Sequence, residues 1–377
     1  MIIGIDASRA NEEKKTGVGW YAYNLIQEFK KITPEDIRVV LYTNKPLQGE
    51  LAKLPNGWTE KVLNWFPGRL WTQVRLSFEM LINPPDVLFI PAHVFPIIHP
   101  NKTVMTVHDI AAIKFPNSYN WFEKWYTLWS AKFAVKHLWC VITPSRFTKK
   151  ELISECRMQN AECDKIVVVA HGYDKKFKIE DLRMKIDEVL ERYQITKPYL
   201  LSIGRLEEKK NTVKIIQAFN LIKSNNLQSL IFNLQLVLVG QPGYGYEKVK
   251  ETIDNSKFKN DIITPGWVPN DDLPDLMSGA EVFVFPSLYE GFGIPVLEAF
   301  SCGTPVLASR GSSLEEVGND ACFYVDPDNT EEIANGILKL IQDKEYRTKN
   351  IERGLERVKE FSWETCTKET LDTLLNN

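Results

Sequence analysis

The stretch Glu290-Gly-Phe-Gly-Ile-Pro-Val-Leu-Glu298 decides how this chain is interpreted. An apolar run from Ala280 to Pro286 precedes it and predicts a buried strand, and a second apolar run, Val296 to Phe300, follows it. Gly291 and Gly293 permit a tight loop between the two runs. The proline inside the stretch suits the first turn of a helix, where its missing N–H needs no partner. The sequence therefore predicts a strand, a glycine loop and a helix start, with one carboxylate in the loop and another one turn into the helix.

These groups suit a ligand that carries both phosphate and hydroxyl groups. The free N–H groups at a helix start favour anions such as phosphate. The carboxylates of Glu290 and Glu298 accept hydrogen bonds from hydroxyl groups. A nucleotide-sugar has both kinds of group, so a nucleotide-sugar site is the first interpretation. A surface helix with two unrelated acids is the alternative, and the glycines and flanking apolar runs disfavour it.

A second motif places two cations after a predicted strand. The run from Tyr199 to Gly204 predicts a strand that ends in glycine, and the charged turn Arg205-Leu-Glu-Glu-Lys-Lys-Asn211 follows it. Each cation at ~4 Å from a negative charge is worth roughly 4 kcal/mol at an effective dielectric near 20. Arg205 and Lys210 are therefore candidates for binding an anion, whereas a solvated charged turn is the ordinary alternative.

Short apolar runs separated by helical or loop segments predict parallel, doubly wound sheets, whose ligands bind at the carboxyl ends of the strands. His93 and His108 both follow such predicted strands. A lone histidine is more often structural, but their position makes both candidates for a site. Gly17 and Gly19 form a predicted glycine loop before the helical pattern of Trp20 to Lys31, which is weak evidence by itself.

In their order along the chain, these motifs resemble those of the retaining glycosyltransferase family 4. The resemblance rests on the two glutamates of 290–298, on the Gly-Arg and Lys-Asn pairs of 204–211, and on Val107-His-Asp-Ile110. It implies an α/β protein with the GT-B fold, two Rossmann-like doubly wound domains facing a central cleft. The implied domains are an acceptor-side domain, a nucleotide-sugar domain and a terminal helix that crosses back to the first domain, at residues 1–180, 181–362 and about 363–377.

The resemblance implies transfer of a hexose from a nucleotide-sugar to the hydroxyl of a glycan or lipid-linked acceptor, with retention of the anomeric configuration. The opening Ile5-Asp-Ala-Ser-Arg9, the Gly-Val-Gly of 17–19 and the Val-His-Asp-Ile run look most like bacterial mannosyltransferases of polysaccharide assembly. This favours GDP-mannose as the donor. A UDP-hexose stays open as an alternative.

The resemblance also assigns roles to single residues. Arg205 and Lys210 would hold the diphosphate, Glu290 would orient the sugar, and Glu298 would bind the ribose hydroxyls. His108 would face the sugar, which makes it catalytic together with Glu290, Arg205 and Lys210. The remaining implied contacts are, on the donor side, Gly291, Phe292, Gly293, Ile294 and Val268, and on the acceptor side, Gly17, Gly19 and His93.

No cofactor or metal is expected, because the two cations can stand in for a metal ion. Asp326-Pro-Asp328 matches the D-x-D pattern of metal-dependent transferases, but it lies just before a predicted helix start, where aspartate is an ordinary turn residue. The six cysteines are scattered without a C-x-x-C pair, which is typical of reduced thiols in a cytoplasmic protein.

Composition limits the classes of function. A length of 377 residues predicts two domains, and a net charge of −3 without a concentrated basic patch disfavours nucleic acid as a partner. The charge is uneven: residues 1–180 carry 24 Lys and Arg against 18 Asp and Glu, and eight of the ten tryptophans precede residue 140. A basic, Trp-rich half predicts peripheral contact with an anionic membrane surface, and a more aromatic core is the alternative. Arg69 and Arg75 add basic groups to this half.

The sequence shows neither a signal peptide at its start nor an apolar run long enough to span a bilayer. We therefore expect a cytoplasmic protein, with peripheral contact at the inner membrane face. Two functions from other classes compete with sugar transfer. One is a non-catalytic nucleotide-sugar-binding protein, which the loss of a motif residue would favour. The other is a nicotinamide-dependent oxidoreductase, which the absence of G-x-G-x-x-G disfavours.

Overall fold

The chain forms two units, each built on a parallel sheet. The computed structural model describes residues 1–66, 70–119, 121–158, 163–177, 186–225 and 229–376. The first unit comprises Met1–Gly172 together with Ser362–Asn377, and the second comprises Tyr173–Phe361. Arg69 and the predicted domain boundary between residues 180 and 181 lie outside the described residues.

The sheet of the first unit has seven parallel strands in the order β3-β2-β1-β4-β5-β6-β7. The strands predicted from apolar runs are confirmed, and β3 is an addition that the sequence did not indicate. The bounds are β1 Ile2–Asp6, β2 Arg38–Thr43, β3 Trp58–Val62, β4 Val87–Ile90, β5 Thr103–Thr106, β6 Cys140–Thr143 and β7 Ile166–Val168.

Helices flank this sheet. A π-helical turn, Trp71–Leu76, runs directly into α2. Ser145 caps α5 by accepting a hydrogen bond from the N–H of Thr148 at 3.0 Å. The helix at the C-terminal end, α15, packs on α1 and so belongs to the first unit. The bounds are α1 Gly17–Ile32, α2 Ser77–Ile82, α3 Ala111–Lys114, α4 Trp121–His137, α5 Arg146–Cys156 and α15 Trp363–Leu375.

The second unit has a six-stranded parallel sheet in the order β10-β9-β8-β11-β12-β13. Its central strands are short apolar runs with both faces buried, which is the pattern that helices on both sides of a sheet require. The bounds are β8 Tyr199–Ile203, β9 Gln235–Val239, β10 Ile262–Gly266, β11 Val282–Phe285, β12 Val306–Ser309 and β13 Cys322–Val325.

The helices of the second unit bury apolar faces against these strands, as Ile216 and Phe219 of α7 and Ile337 of α13 do. The bounds are α6 Ile186–Arg192, α7 Thr212–Asn225, α8 Ser229–Phe232, α9 Tyr246–Asp254, α10 Leu273–Gly279, α11 Ile294–Ser301, α12 Ser313–Gly318, α13 Thr330–Gln342 and α14 Lys344–Arg357.

Both sheets reverse their strand order at one point. In the first unit this switch point lies between β1 and β4, and in the second it lies between β8 and β11. Ligands of doubly wound sheets bind beyond the carboxyl ends of the strands at the switch point. The prediction of two Rossmann-like doubly wound domains is confirmed, and the fold directs attention to the loops after these four strands.

Candidate functional site

The switch point of the second unit brings a cation and a carboxylate together. Lys210 lies in a short helical turn after β8, and Glu290 lies in the loop after β11. Lys210 Nζ is 2.5 Å from Glu290 Oε1, and the two side chains are 20% and 12% exposed. Lys210 Nζ also lies 5.0 Å from the ring centroid of Phe285, at the end of β11. The pair therefore joins the segments that follow β8 and β11, and both side chains are exposed enough for a ligand to reach them.

Arg205 follows the same strand, β8, five residues before Lys210. A side chain added at Gly204 would meet the aliphatic part of Lys210 at 3.4 Å, so Lys210 lies along the backbone just before Arg205. Arg205 is 66% exposed and its Nε is 3.6 Å from Glu207 Oε2. A Cβ at Gly243 would come within 2.6 Å of the same Glu207 oxygen, so glycine is needed there. The structure thus brings the two predicted cations to one edge of the sheet.

Two residues to which the sequence analysis gave no role fix the loops of this site. Asn211 adopts a left-handed conformation with a φ of 60°, and its Nδ2 donates to the carbonyls of Pro286 at 3.1 Å and Pro327 at 2.7 Å. Ser313 Oγ lies 2.8 Å from the carbonyl oxygens of both Glu290 and Phe292. Asparagine adopts this left-handed conformation more readily than most residues. An asparagine directly after the charged turn was therefore the signal in the sequence that could have identified Asn211.

The predicted glycine loop and helix start are confirmed after β11. Gly293 precedes α11 with a φ of 113°, and a Cβ there would meet Leu314 at 2.5 Å. Ile294 begins the helix, Gly291 is buried, and Phe292 packs edge-to-face on Phe361 with 5.9 Å between ring centroids. The loop is therefore rigid, and the N–H groups of the first turn of α11 lie next to Glu290 in the chain.

Glu298, one turn into α11, has an unusual ionisation. Burial raises the pKa of its carboxyl to about 7; Asp174 raises the pKa further, and Lys176 lowers it. The folded state therefore binds more protons than the unfolded state between pH 4.5 and about pH 7. The contribution of Glu298 to stability is present below pH 4.5 and is lost as the pH rises through about 7.

We expect the variant Glu298→Gln to unfold at a higher temperature than the wild type at pH 8, with little difference at pH 5. The glutamine has the same shape but never carries the charge that burial disfavours. A pKa rise from 4.5 to about 7 corresponds to about 3 kcal/mol at high pH. Thermal unfolding followed by circular dichroism at the two pH values measures the difference.

The matched control for this variant is Glu352→Gln, in α14 of the same unit, which removes an exposed carboxyl. Its unfolding temperature should differ from the wild type by the same small amount at both pH values. A Glu298→Gln variant that is less stable than the wild type at pH 8 would contradict the ionisation assigned to this carboxyl.

The first unit brings together three histidines near the ends of its central strands. His93 follows β4, His108 follows β5 and His171 follows β7. The ring centroids of His93 and His108 are 5.6 Å apart, and those of His108 and His171 are 5.3 Å apart. Tyr21 of α1 packs on both His108 and His171, with 4.6 Å between the ring centroids in each case. The sequence analysis gave no role to His171.

Hydrogen bonds and burial fix the ionisation of this cluster. The backbone N–H of His108 donates to Nε2 of His93 at 2.5 Å, so this nitrogen carries no proton. His108 Nε2 lies 3.1 Å from the carbonyl oxygen of Pro91 and donates to it. Burial, followed by the nearby His93, lowers the pKa of His108 to about 4, and burial also lowers the pKa values of His93 and His171. At neutral pH His108 is therefore uncharged, and its Nδ1 is a hydrogen-bond acceptor.

The remaining predicted residues have simpler surroundings. Gly17 and Gly19 lie within the first turn of α1 and not in a loop before it, which corrects the sequence prediction. A Cβ at Gly19 would meet the carbonyl oxygen of Arg9 at 3.0 Å, whereas Gly17 has open space around it. Val268, just after β10, is 3% exposed. Asp326 accepts a hydrogen bond from the N–H of Asp328 at 2.9 Å, as a turn residue does.

Comparison with known proteins decides the family. The model of glycosyl transferases group 1 matches residues 185–357, and that of glycosyltransferase family 4 matches residues 15–177. O-antigen chain mannosyltransferase B of Escherichia coli is 33% identical over 272 residues, which cover 72% of this chain and 69% of that protein. The chain belongs to the family 4 glycosyltransferases.

Other proteins resemble this family 4 glycosyltransferase along most of their length. O-antigen chain mannosyltransferase RfbU of Salmonella typhimurium is 28% identical over 280 residues, covering 74% of this chain and 71% of that protein. The crystal structure of Anabaena HepE in complex with UDP-glucose superposes with a TM-score of 0.74 at 17% identity, covering 99% and 98% of the two chains. The structure of WaaG, a glycosyltransferase of lipopolysaccharide biosynthesis, does so with a TM-score of 0.74 at 14% identity. These structures share the GT-B fold.

Among the described residues, no group of three or more His, Cys, Asp or Glu side chains has the arrangement of a metal site. No helix in the same part of the chain is both long enough and apolar enough to cross a bilayer.

Proposed function

We propose that this enzyme transfers mannose from GDP-mannose to a hydroxyl of a glycan or lipid-linked acceptor, with retention and without a metal ion. The observation that carries the proposal is the Lys210–Glu290 pair, 2.5 Å apart at the switch point of the second sheet, with Arg205 at the same edge. A nucleotide-sugar needs cations for its diphosphate and an acceptor for its sugar hydroxyls, and this edge supplies both.

Each group has one task in the proposal. Arg205 and Lys210 bind the diphosphate and stabilise the charge that it gains on departure, with the N–H groups at the start of α11 as further donors. Glu290 accepts hydrogen bonds from the sugar hydroxyls, and Glu298 accepts them from the ribose. Neutral His108 contacts the transferred hexose through its free Nδ1 acceptor; this role remains a prediction.

Among the described residues of this site, the carboxylate nearest to the proposed sugar position, Glu290, is already paired with Lys210. We propose that the acceptor hydroxyl attacks the face from which the diphosphate departs. A phosphate oxygen of the leaving group takes the proton of that hydroxyl, the new glycosidic bond forms, and the carbon–oxygen bond to the diphosphate breaks. Such front-face attack retains the configuration.

Mannose from GDP-mannose is favoured over a UDP-hexose by the relatives of known activity. Two of them, in Escherichia coli and Salmonella typhimurium, are mannosyltransferases. The similar Anabaena structure holds UDP-glucose, but its likeness at 17% identity concerns the fold. The alternative of a UDP-hexose therefore keeps the same site and the same mechanism.

A thermal-shift comparison of GDP and UDP, each with and without magnesium, tests the proposal. We expect GDP to raise the unfolding temperature equally in both conditions, since a ligand at ~100 times its dissociation constant stabilises the protein by roughly 2.7 kcal/mol. The variant Arg205→Ala, which loses an exposed cation, should lose most of this response.

The other outcomes of the same experiment are distinct. A response to UDP alone would replace the donor and keep the site. A response that requires magnesium would contradict the metal-independent mechanism. No response to either nucleotide, in a folded protein, would remove the support for a donor site in the second unit.

A further inference from the structure

The first unit exposes an unusual number of large apolar side chains in one part of the chain. Of the seventeen such side chains exposed among the described residues, eleven lie between Trp65 and Trp125. Phe66 is 95% exposed, Trp121 is 76% exposed and Leu81 is 61% exposed. Soluble proteins rarely expose large contiguous apolar patches, and those that exist mark interaction sites.

The segments that carry these side chains are neighbours in the first unit, because hydrogen bonds join them. Gln73, in the π-helical turn before α2, donates from Nε2 to the hydroxyl of Tyr126 in α4 at 3.2 Å. The N–H of Ile98 donates to Ser77 Oγ, at the start of α2, at 3.3 Å. We call the exposed apolar side chains of residues 70–82, 97–98 and 121–125 the apolar surface.

The helical segment 71–82 has two apolar faces. Trp71, Leu76 and Met80 are buried in the first unit. Val74, Phe78 and Leu81 recur at helical spacing on the outer face and are 41%, 55% and 61% exposed. A surface helix of a soluble protein normally directs polar side chains outward, so the outer face is suited to an apolar environment.

The charges around the apolar surface are basic. Between Leu70 and Ile82 the single acidic residue is Glu79, which is buried and forms ion pairs with Lys61 and with Arg75. Helix α4 carries Lys124, Lys132 and Lys136 in its sequence against one acidic residue. The outer face of segment 70–82 therefore carries no exposed carboxylate that would repel an anionic surface.

We infer that the apolar surface binds the headgroup region of an anionic lipid bilayer, with its apolar side chains inserted at the boundary of the acyl chains. Apolar side chains flanked by basic groups are the pattern of helices that lie in the membrane interface. Charge complementarity favours an anionic bilayer, and the helices that carry the surface are not of the kind that cross a membrane. Lipid binding by this surface does not depend on the proposed sugar transfer.

Co-sedimentation of the full chain with vesicles tests this inference. We expect binding to vesicles that mix phosphatidylglycerol with phosphatidylcholine, weak binding to phosphatidylcholine alone, and release by salt, because each basic group near an anionic surface contributes about fivefold. The variants Phe78→Asp and Trp121→Asp should each lower the vesicle partition coefficient about tenfold or more, since each loses an apolar side chain that the bilayer would bury.

The matched control is Phe232→Asp, which introduces the same charge at a phenylalanine that is 70% exposed in the second unit. It should bind vesicles like the wild type. Equal loss in all three variants, or no vesicle binding by a folded wild type, would overturn the inference. A different result would also overturn it: light scattering shows that the wild type is a dimer, Phe78→Asp separates this dimer, and the wild type does not bind vesicles. A second copy of the chain would then cover the apolar surface. Unchanged thermal-shift responses to nucleotide in every variant would show that the donor site is intact.

Discussion

Replacing Lys210 by alanine is expected to lower kcat about a thousandfold. Its ammonium group is held 2.5 Å from Glu290, next to the backbone that carries Arg205, where the proposal puts the leaving diphosphate. A cation at ~4 Å from that charge is worth roughly 4 kcal/mol at an effective dielectric near 20, and this is about a thousandfold in rate. The release of GDP from GDP-mannose, with methyl α-mannoside as the acceptor, measures kcat.

The neighbouring lysine provides the matched control. Lys209→Ala removes one cation from the same turn, and we expect its kcat to stay within about tenfold of the wild type. Lys210→Arg keeps the charge and should recover part of the lost rate. Equal losses in Lys209→Ala and Lys210→Ala would show that general positive charge, and not a positioned cation, serves the reaction.

Lys210→Ala also leaves the carboxylate of Glu290, which is only 12% exposed, without its cation. Removing one member of a buried pair destabilises a protein by about 3 to 5 kcal/mol, and the partial exposure of this pair reduces that cost. Thermal unfolding therefore accompanies the kinetic measurement. A variant that is less stable but turns over at the wild-type rate would assign the pair a structural role only.

The parts of the site that are contiguous in sequence could be predicted, and the pairings between them could not. The loop and helix start of residues 290–298 follow from an apolar run, glycines and a proline that are neighbours in the chain. The contact of Lys210 with Glu290 joins residues 80 positions apart. It exists because β8 and β11 are adjacent in the sheet, and strand order is not encoded in any local pattern.

The histidine cluster was missed for the same reason. His93, His108 and His171 lie on three different loops, and only the order of the strands in the first sheet brings the rings of His93 and His171 within 5.6 Å of the ring of His108. In the sequence, His93 and His108 were judged singly, and a single histidine carries little information. Their shared burial, which keeps all three uncharged at neutral pH, is a property of the packed sheet.

Element bounds differed where local signals were ambiguous. The glycines at 17 and 19 suggested a loop, yet α1 begins at Gly17, because the carbonyl of Thr16 already accepts a helical hydrogen bond from the N–H of Trp20 at 2.9 Å. The sequence analysis did not identify the strands β12 and β13. β12 pairs with β11 and with β13, and this pairing stabilises both strands.

Glu290→Gln is expected to lower kcat about a hundredfold while the dissociation constant of the donor changes less than about threefold. The amide oxygen can still accept a hydrogen bond from Lys210 Nζ, so the loop keeps its geometry. The variant loses the negative charge that orients the lysine and strengthens the hydrogen bonds from the sugar hydroxyls. We expect this loss to raise the energy of the transition state, in which the glycosidic bond breaks, more than that of the bound donor. Pre-steady-state turnover and equilibrium binding of GDP-mannose separate the two effects.

Glu298→Ala should behave in the opposite way. It loses the carboxyl oxygens that accept hydrogen bonds from the ribose, which costs about 1.5 to 3 kcal/mol, or roughly tenfold or more in nucleotide affinity, and kcat at saturating donor should stay near the wild type. Equal, near-wild-type kinetics for the two variants would contradict the assigned roles.

The double variant Lys210→Ala with Glu290→Gln completes a double-mutant cycle. Because the two side chains act as one pair, its loss of kcat should be smaller than the product of the single losses.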